Sequence, residues 1–216
     1  MFLPKNRKTG MNEKLEEQLY QRYPSLYRKK FLYGFQCGDG WYTLIDVISE
    51  LLTKHDQGIY ALQVKEKFGG LRFYHNGGDN YTSGVRRVAE MLSNHICEVC
   101  GAQGFLNRNV GYWSTLCAEH RDKNSTVDHP EIDISGVADL GLGAAWSRLA
   151  VILKESADQY TEHTGKPRVT FFISKENERL VIKPSTDDEL IAGMADIVVG
   201  YANRIDECSG AVVVNK

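Results

Sequence analysis

Apolar residues recur along this chain in two rhythms, the three-and-four spacing of helices and the alternation of strands. Asn12 with Glu13, Glu16 and Glu17 has the acidic opening of a short amphipathic helix that ends before Pro24. From Trp41, the positions Leu44, Ile45, Val47, Ile48, Leu51 and Leu52 predict a helix to about His55. Two strands follow, IYALQVKEKF and LRFYH, joined at Gly69-Gly70, where glycine permits a tight turn. A helix from about Asn80 places Val85, Val88, Leu92 and Ile96 on one face and runs into a cysteine pair.

The same order returns in the second half. Trp146, Leu149, Ile152 and Leu153 match Trp41, Leu44, Val47 and Ile48 at an offset of 105. RVTFFISKE and RLVIKP match the two strands, and Met194, Ile197, Tyr201 and Ile205 match the helix face, at an offset of 109. The fold expected is therefore α+β, two degenerate helix-strand-strand-helix repeats with strands placed to share one sheet. The boundaries are a basic arm over 1–12, a first repeat with a zinc knuckle over 13–121, a linker over 122–140 and a second, metal-free repeat over 141–216.

Candidate chemistry concentrates where the first repeat ends. Cys97-x2-Cys100, followed by Gly101, and Cys117-x2-His120 have zinc-ribbon or treble-clef spacing. Four protein ligands close a tetrahedral shell, which predicts one structural zinc ion with no position for a catalytic water. The closing segment, ECSGAVVVNK, keeps only Cys208 and is expected to bind no metal. Cys37 has no histidine placed near it by the pattern and reads as a buried thiol.

Composition adds a core-forming 42% of hydrophobic residues and a net charge of -2. That charge divides unevenly, with 16 basic and 13 acidic residues over 1–122 against 10 and 15 over 123–216. Lys5, Arg7 and Lys8, then Arg28, Lys29 and Lys30, supply much of the positive excess. No apolar run approaches a membrane span, the first residues lack a secretory signal, and the cysteine usage suits a reducing compartment, so a cytoplasmic protein without a membrane partner is expected. Lys65, Lys67 and Arg72, interleaved with Phe68, Phe73 and Tyr74 and joined by Arg86 and Arg87, form a candidate nucleic-acid-binding set.

GFQCGDGW, QVKEKFGGLRFY, CEVCGAQG and GYWSTLCAEH together resemble a group of uncharacterised zinc-knuckle proteins of bacteriophages, prophages and bacteria, over about residues 20–121. That resemblance implies a phage or bacterial origin and transfers no catalytic residues. GLGAAW lacks the third glycine of a dinucleotide loop, no phosphate loop or nucleophile elbow is present, and Thr186 to Glu189 reads as a capping box. The function expected is a non-enzymatic accessory protein that binds a host protein or protein–nucleic acid complex, for example to inhibit a host defence complex. Direct DNA or RNA binding is the alternative. A third is a nuclease in which His75, His129 and Asp128 would serve the reaction.

Overall fold

The computed structural model describes residues 10–109, 112–122, 126–127 and 131–213. Most of the basic arm, with Lys5, Arg7 and Lys8, lies outside them, as do Asp128 and His129. Helix α1 (Glu13–Arg22) starts where the Asn12 side chain accepts from Lys14 N. A 3-10 turn, Asp39–Trp41, leads into α2 (Tyr42–His55). Strands β1 (Tyr60–Lys67) and β2 (Gly70–Asn76) form an antiparallel hairpin, and α3 (Asn80–Ser93) follows, capped by Asp79.

Strands β3 (Phe105–Asn109) and β4 (Tyr112–Leu116) make a second hairpin, extended at the β3 edge by β5 (Thr126–Val127). Beyond a 3-10 stretch, Ser135–Leu140, come α4 (Ala144–Thr164), the hairpin β6 (Phe171–Glu176) and β7 (Arg179–Pro184), and α5 (Glu189–Ala202). The chain is thus mixed α+β with small antiparallel sheets. The expected shared sheet is not formed: among the described residues β1–β2, β4-β3-β5 and β6–β7 are separate. No helix among them is long and apolar enough to cross a membrane.

Helices α3 and α5 meet at the centre, α2 and α4 touch both, and β2 and β7 back α3 and α5 respectively. One hydrophobic core runs from Leu19 through Phe73 and Val88 to Ile197 and Ile205. Each large side chain so buried contributes roughly 1.5–3 kcal/mol. The expected linker over 122–140 therefore joins two halves that share a core, and Thr126–Val127 within it pairs with β3.

The central crossing depends on two glycines. A Cβ on Gly84 would stand 1.9 Å from Leu190 O and 3.1 Å from Met194 N; one on Gly193 would stand 2.1 Å from Tyr81 O and 3.0 Å from Val85 N. The contacts are reciprocal: positions 81, 84 and 85 lie 109 before 190, 193 and 194.

Two turns depart from the sequence expectation. The β1–β2 turn is Phe68-Gly69, with φ of 56° and 77°, while Gly70 is already paired with Lys67. The cap of α5 is Asp188, which accepts from Leu190 N and Ile191 N, and Thr186 only supports it by accepting from Asp188 N.

Candidate metal centre

Past Ser93 the chain turns out of α3 and folds Cys97 to Gly101 into a knuckle. Gly101 N donates to Cys97 O at 2.9 Å and Cys97 N donates to Ala102 O at 2.7 Å. Gly101 has φ 79°, a left-handed conformation that glycine adopts freely. Glu98 N donates to Thr115 O at 2.9 Å, which fastens the knuckle to β4. Just past β4, His120 N and Arg121 N both donate to Cys117 O, and this turn brings Cys117 and His120 back over the first pair.

The four donor atoms of Cys97, Cys100, Cys117 and His120 lie within 4.8 Å of one another, two residues buried and two exposed. Cys100 Sγ and Cys117 Sγ are 3.8 Å apart, and His120 Nδ1 lies 3.7 Å from Cys97 Sγ and 3.2 Å from Cys117 Sγ. Tetrahedral bonds of about 2.3 Å to sulfur and about 2.0–2.1 Å to nitrogen imply edges of about 3.8 Å and about 3.6 Å. The group can hold one metal ion, and three sulfurs with one imidazole are compatible with a structural zinc. Burial pushes the Cys100 thiol up to about 12. At Cys117 burial also opposes the thiolate, but hydrogen bonds from His120 and from the backbone at 119 and 120 outweigh it and bring the group down to about 7.

The GFQCGDGW segment is built against this knuckle. Gly38 N reaches the Glu98 carboxylate at 3.2 Å, Gly40 N donates to Glu98 O at 2.8 Å, and the Trp41 indole donates to Ile96 O at 2.8 Å. A Cβ would stand 2.3 Å from Glu98 O on Gly38 and 2.1 Å from Cys97 O on Gly40, so both glycines are needed for close approach. Cys37 is buried, and burial raises its thiol well above the ordinary range, consistent with an inert core residue. On the other side Thr115 Oγ1 donates to Gly69 O at 2.7 Å, which ties the β1–β2 turn to β4.

The last described residues carry the same backbone pattern without a cysteine at either of the positions that match Cys97 and Cys100. Asp206 N donates to Ala211 O, Gly210 N to Asp206 O, Val213 N to Arg204 O and Ala145 N to Glu207 O. In the knuckle at Cys97 to Gly104 the corresponding donors and acceptors are Cys97 and Ala102, Gly101 and Cys97, Gly104 and His95, and Gly40 and Glu98. The position of Cys97 is held here by Asp206 and that of Cys100 by Ser209, whose Oγ donates to Asp206 Oδ1 at 2.7 Å. Asp206 Oδ1 also accepts from Cys208 N and Ser209 N. Cys208, the remnant singled out from sequence, is exposed and corresponds to Val99 instead.

The candidate nucleic-acid residues divide into two groups. Arg72 and Arg86 approach the Glu90 carboxylate at 3.9 and 3.7 Å, and burial still raises that carboxyl against both arginines. Lys65 and Lys67 sit over the Tyr74 and Phe68 rings at 5.5 and 5.1 Å, while Arg87 is exposed on α3. Phe73 is buried in the core and offers no stacking face. Sequence reading missed Trp113 and Arg108, a cross-strand pair with the guanidinium 4.2 Å from the indole, because β3 showed no strand alternation. His75 takes part in its own turn, with Nδ1 3.1 Å from Gly77 O.

Comparison with protein-family models, with curated proteins and with solved structures finds no match to this chain.

Proposed function

We propose that this chain is a non-enzymatic, zinc-structured accessory protein that binds a host macromolecule and modulates its action. The observation that carries the reading is the closed Cys97, Cys100, Cys117 and His120 cluster, whose four donors saturate a tetrahedral ion. Bound there, zinc supplies cross-linking alone. The knuckle secures β4, the 38–41 segment and the end of α3, and so presents a fixed surface to a partner. The resemblance to phage and prophage proteins supports a host cell as the setting, and the acidic second half suits a basic, nucleic-acid-handling partner.

We infer also that the molecule arose by internal duplication of one helix-strand-strand-helix-knuckle unit. The matching knuckle hydrogen bonds and the reciprocal glycine crossing support this, since two copies related by a pseudo-twofold axis must exchange equivalent contacts. In the second copy Asp206 and Ser209 close the knuckle by hydrogen bonding where the first uses a metal. One zinc per chain is expected by elemental analysis, and two would reject the account of the second knuckle.

The functional test is a tagged pull-down from bacterial lysate with and without nuclease, beside a Cys97→Ser/Cys100→Ser variant. A partner retained by the parent protein and lost by the variant supports the reading. Turnover of a substrate abolished by one polar substitution would reject it.

A further inference from the structure

Resting on the binding-protein reading above, we propose that the joint between the β1–β2 turn and the β3–β4 hairpin docks single-stranded nucleic acid. Phe68 and Trp113 would take the bases, and Lys65, Lys67 and Arg108 the phosphates.

The first observation is conformational. Phe68 has φ 56°, a left-handed backbone that penalises bulky side chains. The matching turn position in the β6–β7 hairpin is Asn177, with φ 49°, a residue type that takes this conformation readily. Phe68 thus occupies a place better suited to asparagine, yet the residue is 62% exposed and lies outside the buried core. Neither turn geometry nor burial accounts for the ring.

The second observation is its company. The Phe68 and Trp113 centroids are 5.9 Å apart and their planes are inclined at 57°. Lys67 Nζ lies 5.1 Å from the Phe68 centroid, the Arg108 guanidinium 4.2 Å from that of Trp113, and Lys65 Nζ 5.5 Å from that of Tyr74. Exposed rings with cations beside them are what a flexible polyanion of unstacked bases requires. A duplex keeps its bases stacked and cannot use the rings.

The third observation is rigidity. Thr115 Oγ1 donates to Gly69 O, and a Cβ on Gly69 would meet Leu106 Cδ1 at 2.2 Å, so the β1–β2 turn is seated closely against the β3–β4 hairpin. The Glu66 carboxylate accepts from Gly69 N at 2.6 Å and is thereby drawn into the turn.

Trp113 is 37% exposed whereas Trp41 and Trp146 are 0% and 3% exposed, so ligand-dependent quenching of tryptophan emission reports on this surface. The zinc-loaded full chain is titrated with a thymidine oligonucleotide, a uridine oligonucleotide and a duplex. Saturable quenching by single strands and not by duplex is expected, and the tighter of the two strands identifies DNA or RNA as the source. Three phosphate contacts predict about a 20-fold weakening between about 50 and 200 mM salt. Phe68→Gly, which fits the left-handed turn and should keep the fold, is expected to weaken binding about tenfold. Absence of quenching at low salt in folded protein, or equal binding by F68G, overturns the proposal. A nuclease-resistant protein partner lost in F68G, with no oligonucleotide binding, overturns it too but leaves the binding-protein reading standing. Capture of neither protein nor nucleic acid defeats that broader reading.

Discussion

Asp188 shows how a single carboxylate is kept charged in this fold. Burial opposes its ionisation, but Lys166 Nζ at 2.6 Å and the Leu190 and Ile191 N–H groups outweigh burial and hold it below its ordinary 3.8. A folded value below the unfolded one stabilises the protein fully above pH 3.8, and the contribution disappears as pH falls through the lowered value. Asp188→Ala should therefore cost about 1 kcal/mol at neutral pH and almost nothing in strong acid, measured by urea denaturation at each pH. The Cys97, Cys100, Cys117 and His120 cluster that could hold a metal was legible at this scale because two-residue spacers and a following glycine leave few alternatives. Asp206 and Ser209 were not, since an Asp–Ser hydrogen bond has no spacing signature and Cys208 drew attention to the wrong position. Phe68 was legible as one of the aromatics among the basic residues, but its left-handed turn position was not, because the adjacent glycines could equally have formed the turn.

Periodicity found the five helices and both long hairpins, because each buries one face against the core. It missed β3, where the sequence FLNRN alternates poorly and pairing with β4 and β5 decides the conformation. Close helix packing at Gly84 and Gly193 was equally silent, since a glycine inside a helix signals only lower propensity. Gly84→Ala should destabilise by about 3 kcal/mol in chemical denaturation, because the backbone of α5 stands where its methyl must go. Stability within a few tenths of a kcal/mol of the parent would mean the helices slide apart at no cost. Metal removal acts on a different element. A chelator should release amide protection across the knuckle and β3–β4, while α5 and β6–β7 retain theirs in hydrogen-exchange mass spectrometry.

At the scale of the molecule, a polar connection over 122–140 pointed to two units, whereas the core passes through both. Sequence could not distinguish these outcomes, since an apolar helix face looks the same whether it covers its own strands or a second helix. Fragments 1–124 and 131–216 should each lack cooperative unfolding and recover it when mixed, as followed by circular dichroism. Cooperative unfolding by either alone would show that the shared core is dispensable. On the duplication proposed above, the glycine crossing also bears on how such a chain can change. A pair of identical subunits inherits every substitution on both sides of its axis, so an advantage on one side is tied to any loss on the other. Encoded in one reading frame, positions 84 and 193 mutate separately, and so do 97 and 206. Such a lineage could give up one metal without giving up both, leaving one lobe under strict selection and its twin free to drift.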